Sequence, residues 1–293
     1  MRIKILFLLF SIFFSCSTNR QKKEIIIIKG SDTMINLTRL WAEKYMNINQ
    51  KVSIQVTGGG SGTGIASLLN GTGDIANISR ELKTSELANA KKLNITPVKH
   101  IVALDAIAIV VNPANKINSL SIKQLRAVFS GTIKNWKDLG GPNAEIVLFG
   151  RENSSGTYEF VKETILNDKE NHKFYDFSPS TLVLQGTSSL AESIVNGKYS
   201  IGYGSVGYFV KRNDIKIIAI NNNNITTSAK INNSGEINYK DIWSGLYPLS
   251  RYLYCYVNGE SKPEVKNYLR FIKSQDGQKL VKQMEYIPLP TIN

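Results

Sequence analysis

Glu24-Ile-Ile-Ile-Ile-Lys-Gly-Ser-Asp-Thr-Met34 is the stretch that decides the fold. Four consecutive isoleucines suit a short strand buried on both faces, as a sheet covered by helices requires. The run stops at Gly30-Ser31-Asp32-Thr33, and from Met34 the apolar residues Met34, Leu37, Leu40, Trp41 and Tyr45 fall on one helical stripe. A buried strand that ends in a small polar loop and turns into a helix is the alternating unit of an α/β protein.

The same unit recurs along the chain. Residues 51–57 alternate as a second strand, Gly58-Gly-Gly-Ser-Gly-Thr-Gly64 follows, and a short helix continues through Ile65, Leu68 and Leu69. A third strand fits 74–78 and a helix 84–93. Further strands fit 101–111, 145–149, 201–203 and 215–220, with helices at 121–129, 156–166 and 188–196 and a final one at 262–284. The pattern predicts an α/β fold with mostly parallel sheets flanked by helices. Asn112-Pro113 closes the strongest strand and marks a change of lobe. Residues 221–238, rich in Asn, Ser, Thr and Gly, read as a loop or hairpin excursion, and no solenoid period is present.

With 293 residues, of which 42% are hydrophobic, the chain can bury two cores. Its formal charge of +13 is scattered over short pairs such as Lys91-Lys92 and Lys211-Arg212. Without a basic run or an aromatic-interleaved stripe, nucleic acid is not expected as a partner. A diffuse positive field does draw small anions. His100 and His172 lie far apart, with no cysteine cluster, so no metal site is expected, and no motif calls for a cofactor.

The N-terminus reads as an export signal over residues 1–15: Arg2 and Lys4, then an apolar stretch from Ile5 to Phe14 interrupted only by Ser11. That stretch is too short for a membrane-spanning helix, which needs about 20 residues. Phe13-Phe14-Ser15-Cys16 resembles a bacterial lipobox, although Leu or Val is more usual where Phe13 stands. The resemblance implies lipidation of Cys16, a polar tether over 16–23 and attachment to a membrane; the alternative is a soluble exported protein with an incidental cysteine. Cys255, inside Tyr252-Leu-Tyr-Cys-Tyr-Val257, is expected to be a buried, inert thiol.

Three polar loops stand where a strand ends and a helix begins: Gly30-Ser31-Asp32-Thr33, the glycine loop 58–64, and Arg151-Glu-Asn-Ser-Ser155-Gly156-Thr157. Helix N-termini offer unpaired N–H groups and a partial positive charge, and Ser and Thr hydroxyls add donors. Any one of these loops is equally explained as a helix cap. Three of them, with Arg80 and Arg151, point to anion binding. Gly58-x-Gly60-x-x-x-Gly64 lacks the dinucleotide spacing and the Gly-Lys-Ser/Thr ending of a nucleotide loop. Neither histidine accompanies a Gly-x-Ser-x-Gly elbow, so hydrolysis has no visible apparatus.

The blocks Gly30 to Met34, Gly58 to Gly64, Asp74-Ile-Ala-Asn-Ile-Ser-Arg80, Ala103 to Pro113, Phe129-Ser-Gly-Thr-Ile-Lys-Asn-Trp136, Arg151 to Thr157 and Ile201-Gly-Tyr203 resemble, in order, the phosphate-binding proteins of bacterial phosphate ABC importers. That resemblance implies a type II periplasmic-binding-protein fold. One lobe would comprise 24–111 and 250–293, the other 112–249, with a ligand cleft between them. It implies a monomer outside the cytoplasm, periplasmic or at the cell surface, that captures inorganic phosphate, delivers it to ABC permease subunits and catalyses nothing. Thr33, the backbone of Met34, Ser61, Arg151, Ser155, Gly156 and Thr157 match the family's ligand residues.

Arg80, after Ser79, stands where many members place an aspartate that accepts the phosphate proton and so excludes sulfate. Asp32 and Asp105 are the remaining candidates for that acceptor. Asp32 equally suits the N-cap of the helix from Met34. Asp105, alone in an apolar strand, hints at a partner such as Arg80 or Arg151. Capture of another tetrahedral oxyanion such as sulfate, an anion-processing enzyme and a surface adhesin are the alternative readings.

Overall fold

The computed structural model describes residues 23–168, 170–231, 235–259 and 261–289; the export signal, Cys16 and all but the last residue of the tether lie outside them. β1 (Glu24–Gly30) is flanked in parallel by β2 (Val52–Thr57) and β3 (Ile75–Ile78). α1 (Ile35–Ile48) and α2 (Ser61–Leu69) make the connections. Ile26 and Ile28 pack with Leu37 and Trp41 of α1 on one face. Ile65 and Leu68 of α2 pack on the other, against Ala76 and Ile78 of β3. Both faces of the sheet are therefore covered, although Ile25, near the start of β1, is exposed. α3 (Thr84–Lys92) follows β3 and leads into the long β4 (Pro97–Val111).

The C-terminal segment returns to this region. β15 (Ser250–Asn258) runs antiparallel to β4 from Pro97 to Ala106 and also pairs with β3. Residues 262–284, expected as one helix, form two, α8 (Pro263–Lys273) and α9 (Gln275–Gln283). The break is at Ser274, which is extended and whose hydroxyl accepts the Gly277 N–H at 3.3 Å, a cap that starts a new helix. The second helix thereby turns the Gly277 carbonyl to the Trp41 indole N–H, at 2.8 Å.

The middle of the chain builds a second core. Its elements begin with β5 (Ser119–Ser121), α4 (Ile122–Phe129), β6 (Val147–Arg151) and α5 (Gly156–Val161), which continues as a wider π turn over Lys162–Leu166. A small hairpin of β7 (Asn167–Asp168) and β8 (Lys173–Phe174) precedes β9 (Leu182–Leu184), α6 (Gly186–Asn196) and β10 (Ser200–Ser205). The excursion expected at 221–238 takes the form of hairpins. β11 (Lys216–Asn222) turns into β12 (Ile225–Thr227), and β13 (Lys230–Ile231) pairs with β14 (Glu236–Ile237) before α7 (Tyr239–Trp243).

Among the described residues β4 and β15 join both halves into one eleven-stranded sheet, with central order β2-β1-β3-β15-β4-β10-β6-β9. The sheet is mixed rather than mostly parallel. Its outer pairs are parallel, whereas β4 runs antiparallel to β15, β10 and β11. One hydrophobic core draws on residues from Ile26 to Ala103 and from Leu253 to Tyr286, the other on Leu104 to Leu249 with Ile287. The division between the cores falls within β4, between Ala103 and Leu104. No helix among the described residues is long and apolar enough to cross a membrane.

Candidate functional site

The three polar loops meet where the two cores face each other. At the end of β1, Gly30 has φ +138°, and a Cβ there would lie 2.1 Å from the Asn77 carbonyl oxygen, so only glycine lets the chain turn beside β3. Ser31, whose N–H bonds that same oxygen at 2.8 Å, then opens a 3-10 turn over Asp32–Met34. Gly60, at φ +89°, approaches so closely that a Cβ would lie 2.3 Å from the Ser154 carbonyl oxygen. The Gly62 N–H donates to that carbonyl at 3.3 Å. The glycine loop and the Arg151–Thr157 loop are thus in contact across the two cores. Ser155 caps α5, its hydroxyl accepting the N–H groups of Thr157 and Tyr158.

Buried hydroxyls line this meeting point. Ser31 Oγ donates to Ser79 Oγ at 3.0 Å, and Ser79 Oγ lies 3.2 Å from Ser61 Oγ, which also accepts the Ser79 N–H. Thr33 Oγ1 lies 3.0 Å from Thr157 Oγ1, a contact between the first core's loop and the second's. All five residues are buried. Ser31 completes this set although it was not among the expected ligand residues.

Beneath the two threonines sits Arg251, which sequence reading missed. Its Nη2 donates to Thr157 Oγ1 at 2.8 Å and Thr33 Oγ1 at 3.2 Å, and its Nη1 to the Gly156 carbonyl at 3.0 Å. The same guanidinium bonds Asp105 Oδ2 through Nη2 (3.0 Å) and Nε (3.3 Å), and Asp105 Oδ1 accepts from Ser205 Oγ at 2.6 Å. The expectation that Asp105 pairs with Arg80 or Arg151 is thereby corrected. Arg251 lies directly opposite Asp105 in the β4–β15 register, the closest place for a partner. Burial pushes the Asp105 carboxyl up and the Arg251 guanidinium down, and each shift is opposed by the other's charge. An arginine remains charged in such surroundings, so the two form a buried ion pair.

Arg151 is 1% exposed and closes the site on another side. Its Nε and Nη2 bond both oxygens of Glu152 at 3.1 and 2.9 Å, and its Nη1 donates to Thr187 Oγ1 at 3.0 Å. Asp32 Oδ2 stands 3.7 Å from Arg151 Nη2. Asp32 does not cap the helix: its other oxygen accepts the Gly59 N–H at 2.8 Å, tying the first loop to the second. A cavity of about 400 Å³, lined in part by Asp32, Asn36, Glu152, Thr187 and Tyr208, opens beside this group.

Two expected ligand residues are committed elsewhere. The Arg80 guanidinium bonds both oxygens of Glu86 (2.9 and 2.8 Å) and the Glu81 carbonyl (2.7 Å), leaving its buried Nε–H unpartnered. Met34 points into the first core, and its N–H bonds the Ser31 carbonyl within the 3-10 turn. Among the described residues no group of His, Cys, Asp and Glu has the arrangement of a metal site. Cys255 is buried and free, with burial pushing its thiol up to about 12.

The model of the PBP superfamily domain matches residues 17–276. The phosphate-binding protein PstS of Pseudomonas aeruginosa is 35% identical over 89% of this chain and 82% of its own length. The protein of the same name from Bacillus subtilis is 32% identical over 90% of this chain and 80% of its own. The structure of an ABC-type phosphate transport receptor from Vibrio cholerae superposes with a TM-score of 0.72 at 29% identity, over 90% of this chain and all of that one. The two cores, the mixed sheet and the polar loops between them agree with the resemblance read from the sequence. The chain belongs to the PBP superfamily, in the phosphate-binding protein family of these relatives.

Proposed function

We infer that this protein captures inorganic phosphate and delivers it to an ABC permease. The observation that carries the reading is the buried array of Ser31, Thr33, Ser61, Ser79 and Thr157, contributed from both cores and flanked by Arg151 and Arg251. Hydroxyls and guanidinium groups are donors that can replace the water around an anion, and burial strengthens each bond. Thr33, Ser61, Ser79, Arg151, Ser155, Gly156 and Thr157 are the residues proposed to hold phosphate. The two lobes follow the two cores, so the change of lobe expected at Asn112 falls earlier, after Ala103, and bending where β4 and β15 pass between the cores admits and releases the ligand. The protein works outside the cytoplasm as a monomer, lipid-anchored through Cys16, and needs no cofactor or catalytic group.

A second reading, capture of sulfate, is favoured by one observation. Both oxygens of Asp105 are occupied by Arg251 and Ser205, so that carboxylate is not free to accept the proton of phosphate. Asp32, with one oxygen bonded to the Gly59 N–H and the other 3.7 Å from Arg151 Nη2, is the acceptor that remains.

Calorimetric titration of the ligand-stripped protein with phosphate and with sulfate tests the function. Phosphate is expected to bind at least about tenfold more tightly than sulfate, and Arg151→Ala to weaken phosphate binding severely while the protein stays folded. Equal affinity for the two anions would replace phosphate by a general oxyanion. Absence of phosphate binding would overturn the reading.

A further inference from the structure

We propose that Arg251, held in place by Asp105, is a positioning residue that leaves one hydroxyl hydrogen of the Thr33–Thr157 pair turned toward the ligand. The inference rests on the phosphate reading. A guanidinium has only N–H donors, so any hydroxyl it touches must present a lone pair to it. Arg251 Nη2 touches both threonine oxygens, at 3.2 and 2.8 Å. Neither hydroxyl hydrogen can then point at Arg251, and the mutual contact of the two threonines at 3.0 Å can use only one of them. The other faces the cleft, where an anion supplies the acceptor.

Asp105 makes this arrangement rigid. It grips the guanidinium through Nε and Nη2 and is itself fixed by Ser205, so Arg251 cannot swing out to become a ligand. The fifth contact, Nη1 to the Gly156 carbonyl, orients the peptide between Gly156 and Thr157, the start of α5. The Tyr286 hydroxyl donates to the Thr33 carbonyl and pins that residue's backbone. Thr33 comes from the first core's loop and Thr157 from the second's, so one guanidinium holds a hydroxyl from each wall. Donors aligned in advance lose less freedom on binding, which lowers the cost of capture.

Phosphate titration of five proteins tests this, with thermal unfolding to establish that each is folded. Wild type is compared with Arg251→Lys and with the double variant Arg251→Met/Asp105→Asn, which avoids leaving a buried carboxylate unpaired. Thr157→Val is made in the wild-type and double-variant backgrounds. The expected results are a loss of about tenfold or more in phosphate affinity for the double variant and a smaller loss for Lys, which keeps a charge but not the fork. The Thr157→Val penalty should shrink by at least about threefold once Arg251 is gone, because an unaligned hydroxyl has less to lose. Affinity within twofold of wild type in the double variant would overturn the proposal. An undiminished Thr157→Val penalty would do the same, reducing Arg251 to a structural role. Should the double variant not fold, wild-type affinity in Arg251→Lys overturns it. If wild type itself does not bind phosphate, it is the functional reading that fails.

Discussion

Replacing Gly156 by alanine adds a single methyl group where the two cores touch. A Cβ at this position would lie 2.3 Å from Ser61 Oγ and 2.4 Å from Ser79 Oγ, against an ordinary contact distance of 3.4–4 Å. Both serines come from the first core's loops and are fully buried and bonded to each other, so neither can swing aside cheaply. Gly156 itself begins α5, on the second core. The strain therefore falls on the closed arrangement, and overpacking of this kind costs about 1–3 kcal/mol. In affinity that is about a 5- to 150-fold loss. With the lobes apart the methyl group meets neither serine, and alanine in a helix is favoured over glycine by up to about 1 kcal/mol. The expected outcome is a split: calorimetry shows phosphate binding weakened within that range, while ligand-free thermal unfolding stays at or above the wild-type midpoint. Stabilisation by added phosphate should shrink in step with affinity. Affinity within twofold of wild type would show that Gly156 does not meet Ser61 and Ser79 in the bound protein. An equal loss of stability without phosphate would show that the closed contact belongs to the free protein as well.

Two further outcomes follow from other parts of the chain. Burial alone would raise the Glu86 carboxyl, but hydrogen bonds from Arg80 and from the Lys83 N–H hold it below the ordinary carboxylate range. Its contribution to stability is therefore present above the unfolded value of about 4.3 and lost as pH falls through the lower folded one. Glu86→Gln should be less stable at pH 7 and show a flatter decline on acidification; an unchanged acid profile would refute this account. Cys16→Ala, expressed with its leader, should shift the protein from the membrane fraction to the soluble one, and continued membrane association would count against the lipid anchor.

The parts of the fold and site that were legible in the sequence are those encoded locally. The strand of isoleucines, its stop at Gly30 and the apolar stripe of α1 lie within two dozen residues, and the three loops could be placed from their own composition. The agreement of several such blocks in order carried the family. Arg251 escaped because its role depends on register. Asp105 stood out as a charge in an apolar strand, yet its partner lies 146 positions away and is set by how β15 docks on β4. Arg80 misled for the opposite reason. Its type suggested an anion ligand, whereas Glu86, six positions on in the first turn of α3, captures its head. The break at Ser274 was hidden because both α8 and α9 keep an amphipathic pattern and the cap between them is one hydroxyl.

The pairing of β4 with β15 also bears on how this molecule can signal that it is loaded. A slip of one residue in that ladder would carry Arg251 to the outer face and bring the half-exposed Tyr252 into the core, so sliding is forbidden. What remains to the two strands is bending and twisting, and the single register irregularity, between Leu253 and Tyr254, lies just beyond Arg251. If the lobes bend as proposed, occupancy of the cleft is translated into little more than one angle between two surfaces. A membrane partner that grips both surfaces at once needs to read only that angle, and never has to touch the anion to know that it is there.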